Sequence, residues 1–222
     1  TLWHTLSLHD ALPICVQAAE WYGDLFGGTF ILRSLSGEPE GPYEPTTMEG
    51  PLTDLISAQI FEDDDGTLYF VWQQGTIGRL TDGMDSLVDV RHPWQKPFDP
   101  EPVREGVHLF KRGGRYHLAV TAWSWRVADR FTYCHTGHRE YDQLGTYDAL
   151  VASADSPYGP WGERYTSVTD GGLGRFFEDK DGHWWGCVFL QPRGVRNTEH
   201  PFTQKPALVP MRWCDGRIYP KV

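Results

Sequence analysis

Phe61-Glu-Asp-Asp-Asp-Gly66-Thr-Leu-Tyr69-Phe-Val-Trp72 is the stretch that decides the fold. An aromatic residue leads into a polar turn that closes on Gly66. A run of aromatic, aliphatic and β-branched residues follows. Asp-Gly at a tight turn is a strong hairpin signal, because glycine adopts positive φ at little cost. The pattern recurs in Phe110-Lys-Arg-Gly-Gly114-Arg-Tyr116-His-Leu-Ala-Val and in Phe177-Glu-Asp-Lys-Asp-Gly182-His-Trp184-Trp-Gly-Cys-Val. The turn glycines are roughly 50–70 residues apart, the period of repeated four-stranded units.

A second repeat interleaves with the first. Leu32-Arg-Ser34-Leu-Ser-Gly-Glu-Pro-Glu-Gly41-Pro-Tyr43 matches Val151-Ala-Ser153-Ala-Asp-Ser-Pro-Tyr-Gly159-Pro-Trp161, each a strand ending near Ser and closing on Gly-Pro-aromatic. No segment sustains a 3.6-residue period. The 24 Gly and 16 Pro punctuate the 222 residues too often for long helices. The expectation is an all-β chain built as a β-propeller, with a β-sandwich as the alternative. At about 50 residues per blade, the chain has room for about four blades.

Charge and composition remove other classes. Twenty basic against thirty acidic residues leave a net charge of −10, the wrong sign for a phosphate-binding face, so no nucleic-acid partner is expected. No apolar run reaches the roughly 18 residues of a membrane helix, so no membrane partner is expected either. Ten Trp in a chain that is 14% aromatic suit stacking on flat or sugar-like ligands. Cys15, Cys134, Cys187 and Cys214 form no Cys-x-x-Cys pair and read as buried free thiols, with one disulfide between distant partners left open.

Residues 5 to 14, Thr-Leu-Ser-Leu-His-Asp-Ala-Leu-Pro-Ile, are similar to the translation of a common short-read sequencing adapter. The expectation is a non-native segment over 1–15 and a partial propeller domain over 16–222. Sequence upstream of residue 16, including any signal peptide, would then be missing.

Arg104-Glu105-Gly106-Val107-His108-Leu109-Phe110, followed by Lys111-Arg-Gly-Gly114-Arg-Tyr116, resembles the Glu-Gly-Pro block and hairpin of family-43 glycoside hydrolases. Ile56-Ser-Ala-Gln-Ile-Phe61 with its Asp-Asp-Asp-Gly turn resembles the preceding blade of that family. The Gly-Pro-Trp turn at 159–161 resembles its blade-closing turn. Ala18-Ala19-Glu20-Trp21 is similar to a degenerate form of its Trp-Ala-Pro-acidic strand.

The resemblance implies a five-bladed propeller that hydrolyses O-glycosidic bonds of polysaccharide side chains, of arabinofuranosyl or xylosyl type, with inversion. One carboxylic acid protonates the leaving oxygen and a carboxylate on the opposite face activates water. Glu105 matches the acid. Ser57 stands where the family has the Asp that tunes the acid's pKa, and Asp54 lies three residues earlier. The general base falls upstream of the trusted sequence, and Asp24 matches nothing in the pattern. The chain as it stands is therefore expected to be inactive. Trp123, Trp125 and Arg126 occupy the positions of substrate contacts, with strand packing as the competing reading. Leu173 stands where relatives carry a central His, so neither a metal ion nor any other cofactor is expected. His108 reads as packing, and Asp63-Asp64-Asp65 as a solvated turn rather than a Ca²⁺ loop. The implied substrate is a polymer, which points to a secreted or periplasmic protein. Two alternatives stay open: a propeller that binds carbohydrate without cutting it, and a glycosidase of a neighbouring propeller family.

Overall fold

The structure is a computed structural model that describes residues 13–18, 28–54, 57–73, 75–92, 104–127, 130–133, 145–190 and 205–221. For 13–18, 104–105, 122–127, 130–133 and 145–146 it describes the backbone alone. The chain divides into two compact units, Thr1–His92 and Pro93–Val222.

The first unit holds two antiparallel sheets. In one, β1 (Pro13–Ala18) pairs with β2 (Gly28–Ser34), which pairs with β3 (Tyr43–Pro45). In the other, β4 (Gln59–Glu62), β5 (Leu68–Trp72), β6 (Thr76–Leu80) and β7 (Leu87–Arg91) lie in chain order. The Asp-Asp-Asp-Gly turn joins β4 to β5 as a hairpin. Asp63 N–H donates to Thr67 O, and Asp65 Oδ1 accepts the Thr67 N–H. The central strand β5 is buried from Tyr69 to Trp72. The outer strand β7 is exposed over most of its length, and its Asp89 meets Arg79 at 2.7 Å. Charge on an outer strand discourages pairing with another chain. Ile31, Phe70, Trp72, Leu80 and Met84 form the core of this unit. Each such side chain contributes roughly 1.5–3 kcal/mol by leaving water.

The second unit begins with β8 (Arg104–Arg112), β9 (Arg115–Val127), β10 (Arg130–Tyr133), β11 (Gly145–Ala154) and β12 (Tyr165–Val168). The long strand β9 pairs along one edge with β8 and then β10, and along the other with β11. A second sheet runs β13 (Gly171–Glu178), β14 (Trp184–Leu190), β15 (Lys205–Cys214) and β16 (Arg217–Pro220) in chain order. The two sheets pack face to face through Phe110, Ala149, Val151, Phe176, Val188, Met211 and Ile218. Phe110 meets Phe176 and Trp184 with ring centroids 5.5 and 5.9 Å apart.

All three hairpins read from the sequence are present, as β4–β5, β8–β9 and β13–β14. The two Gly-Pro-aromatic turns also match each other. Gly41-Pro42 and Gly159-Pro160 are both cis, and each turn folds back onto the strand before it. Leu35 N–H donates to Pro42 O, and Gly162 N–H donates to Ser153 O.

The expectation of buried thiols is corrected. Cys187 is half-buried and Cys214 exposed, and both are free. Cys187 alternates with core-facing Gly186 and Val188, so it takes the opposite face of β14. Cys214 borders the β15–β16 turn. Nothing is described of the Cys15 side chain or of Cys134, and most of the 1–15 segment lies outside the described residues.

Candidate functional site

Two β-bulges face each other in the second unit. On β8, Glu105 pairs with Thr121 and His108 with Ala119, so the strand holds one residue more than its partner between these pairs. The bulge contains Gly106 at φ 63°. On β13, Gly172 pairs with Phe189 and Arg175 with Cys187, again with one extra residue. That bulge contains Leu173 at φ 51°. A bulge bends its strand and re-aims the adjacent side chains, which is why bulges recur beside active sites.

The bulges touch where glycine permits it. A Cβ on Gly106 would overlap the Leu173 side chain and sit 3.0 Å from Leu173 Cα and 3.2 Å from Thr121 Oγ1. A Cβ on Gly172 would overlap the Tyr147 ring, and it would press equally on the Thr121 methyl. Leu173 N–H donates to Thr121 Oγ1 at 2.6 Å. Two further bonds tie β8 to β13. His108 Nε2–H donates to Phe176 O at 2.9 Å, and an Arg175 guanidinium N–H donates to Val107 O. Below them, Asp148 is buried and its Oδ1 accepts the Asp170 N–H at 2.9 Å. The backbone of Glu105 is thus held in register by Thr121 and followed by a glycine clamped against Leu173.

His108 is packing, as its place in the sequence suggested. Its ring stacks on Phe110 at 5.2 Å, and burial pushes its pKa down to about 3, helped by the Arg175 charge and opposed by the bond to Phe176. Its Nδ1 is buried with no hydrogen-bond partner among the described residues. His117 is also buried, and burial followed by the charges of Arg115 and Arg112 pushes it down to about 4.

The other expected site residues are placed less fully. The side chains of Glu105, Trp123, Trp125 and Arg126 lie outside the described residues. Their backbones are described: Trp123 pairs with Tyr147, Trp125 with Gly145 and Thr132, and Arg126 with Phe131. Ser57 and Asp54 belong to the first unit. Asp54 is exposed, and Ser57 is half-buried with φ 62°. Asp24 lies outside the described residues.

A metal ion does not fit at the position where the resemblance puts a His. Leu173 offers no donor atom there. Asp179, Asp181 and His183 bring ligand-type atoms within 4.8 Å of one another. Structural bonds account for that cluster. Asp179 accepts from the Asp181 and His183 N–H groups and from Trp185 Nε1–H, which also holds its carboxyl below the usual carboxylate range.

Thr121, Tyr147 and the Gly106–Leu173 contact were not singled out from the sequence. One signal was available: three glycines within Gly171–Gly174 on a strand mark close backbone approach.

Comparison with known proteins agrees with this architecture. The family model described as Glycosyl hydrolases family 43 matches residues 15–218. The β-D-galactofuranosidase xynD of Aspergillus niger is 30% identical over 154 residues, covering 65% of this chain and 39% of that protein. The chain therefore spans about two-fifths of that curated relative. A mutant of the protein BlXynB of Bacillus licheniformis superposes with a TM-score of 0.61 at 22% identity, covering 86% of this chain and 36% of that one. An endo-1,4-β-xylanase of Bacteroides thetaiotaomicron superposes with a TM-score of 0.61 at 21% identity, covering 96% and 71%. These likenesses show the fold, the all-β propeller of these enzymes.

Proposed function

Because this chain belongs to glycosyl hydrolases family 43, we propose that the protein containing it hydrolyses O-glycosidic bonds in polysaccharide side chains, with Glu105 as general acid. Arabinofuranosyl and xylosyl units are the favoured substrates, and the relative named for galactofuranose adds galactofuranosyl as a third choice to test. The reaction inverts the anomeric centre: Glu105 gives its proton to the leaving oxygen while a carboxylate across the cleft takes one from water. Ser57 and Asp54 are the positions assigned to tuning the acid. Trp123, Trp125 and Arg126 are assigned to holding the sugar by stacking and hydrogen bonding. The protein acts outside the cytoplasm, where such polymers occur.

The observation that supports this most is the bulge at Glu105–Gly106. A catalytic acid must be aimed with little tolerance, since misplacement by about 1 Å costs roughly 10²-fold. Here the residue after Glu105 is immobilised by contacts from two strands.

The test is hydrolysis of aryl α-L-arabinofuranoside, aryl β-D-xyloside and aryl β-D-galactofuranoside by the full-length protein. Glu105→Gln is expected to lower turnover about 10²–10⁴-fold on an unactivated glycoside. A good leaving group should recover much of that loss, because it departs without a proton. Undiminished hydrolysis of an unactivated glycoside by Glu105→Gln overturns the assignment. Anomeric analysis of the first-formed product tests inversion.

A further inference from the structure

Six large hydrophobic side chains are exposed among the described residues: Leu35, Met48, Val88, Val90, Leu173 and Leu208. Leu173 alone among them also has a left-handed backbone, φ 51°, which side chains other than those of Gly, Asn and Asp adopt reluctantly. Its side chain is 40% exposed. A glycine here would relieve the backbone, and an asparagine would relieve both the backbone and the exposed apolar surface. The chain carries a leucine at a position where local stability favours neither its conformation nor its exposure. Strain of this kind collects at functional sites.

The surroundings say which site. Leu173 meets both neighbours of Glu105: it packs closely on Gly106, next in the chain, and its N–H bonds Thr121, the partner of Glu105 across the ladder. The Thr121 bond uses the Leu173 backbone N–H, so the leucine side chain is not needed to hold the two bulges together. The bonds from His108 to Phe176 and from Arg175 to Val107 hold β8 against β13 independently of Leu173. Part of the side chain packs on Gly106, and the exposed remainder is available to a ligand.

We propose that Leu173 is a specificity-determining residue: an apolar wall beside Glu105 that packs on the C–H face of the bound sugar. This rests on Glu105 being the acid. Aliphatic contact suits a sugar face bearing ring hydrogens rather than hydroxyls.

The experiment separates this role from a structural one and from the assignment of Glu105. Binding of arabinoxylan oligosaccharides is measured by calorimetry on the full-length protein in the Glu105→Gln background, with and without Leu173→Gly. Removing the wall is expected to weaken binding about tenfold, the lower end of what apolar pocket contacts are worth. Leu173→Met is expected to recover most of that loss. The melting temperature of Leu173→Gly should stay near that of the parent, because relief of the backbone offsets lost packing. Unchanged affinity in Leu173→Gly overturns the proposal, and so does a loss of affinity that tracks a fall in melting temperature and is restored by Leu173→Asn. Undiminished turnover in Glu105→Gln alone overturns the assignment of the acid instead, and the affinity comparison then still reports whether Leu173 touches sugar.

Discussion

Replacing Gly106 by alanine tests whether the two bulges are clamped as described. Two separate terms enter. At φ 63° an L-residue pays about 1–2 kcal/mol for the left-handed backbone. The new methyl also meets Leu173 and Thr121. The Leu173 Cδ2 can swing aside, but its Cα at 3.0 Å cannot, so overpacking adds about 1–3 kcal/mol. The sum is about 2–5 kcal/mol. Gly113, in the β8–β9 turn, supplies the control. Its φ is 57°, yet a Cβ there has nothing within 4 Å. Gly113→Ala should therefore cost about 1–2 kcal/mol, the backbone term alone. Urea unfolding followed by tryptophan fluorescence reads the difference, since Trp184 and Trp213 lie in the same unit. With a slope near 2 kcal/mol per molar, the midpoint should fall by about 1–2.5 M for Gly106→Ala and about 0.5–1 M for Gly113→Ala. Adding Leu173→Ala to Gly106→Ala should cost less than the two single changes together, because the overlap disappears. Equal midpoints for the two glycine variants, or strict additivity in the double variant, would refute the clamp.

Gly172→Ala should destabilise the second unit by about 1–3 kcal/mol, because the added methyl overlaps the Tyr147 ring and presses on Thr121; chemical denaturation measures it. His108 and His117 both have folded pKa values below the usual 6.5, at about 3 and about 4, so the unfolded chain binds the extra protons. Their stabilisation is complete above pH 6.5 and is lost as pH falls toward those values. Each should remove about 2 kcal/mol between pH 7 and pH 5, and replacing either by Gln should lessen that loss, as read from urea midpoints at the two pH values. Asp179→Ala removes the acceptor of two backbone N–H groups and of Trp185 Nε1–H, and should cost about 1–3 kcal/mol, seen as a lower melting temperature.

Much of the architecture was legible because its signals are local. The turns at Gly66, Gly114 and Gly182 act through positive φ within a few residues, and all three close hairpins. The run after Gly66 reads as the second strand of a hairpin, and β5 is that strand. The packing role of His108 was also legible, since alternation along an extended strand puts it on the same side as Phe110, on which it stacks. The thiols were misjudged because strand alternation decides which side of β14 Cys187 takes, and register settles alternation.

The candidate site divides along the same line. Residue order alone marks Glu105 and the glycine that follows it, through resemblance and through the conformational freedom of Gly106. It does not say that Gly106 bears on Leu173, residues distant in the chain, or that Thr121 bonds the Leu173 backbone. Those facts depend on two sheets meeting with their bulges in phase. A one-residue change in either register would turn every side chain to the other face and separate the pair. Local sequence determines hairpins because a turn needs only its own few residues. The clamp beside Glu105 belongs to the tertiary structure, because its position is a sum over the packing of β8, β9, β11 and β13 that no single segment encodes.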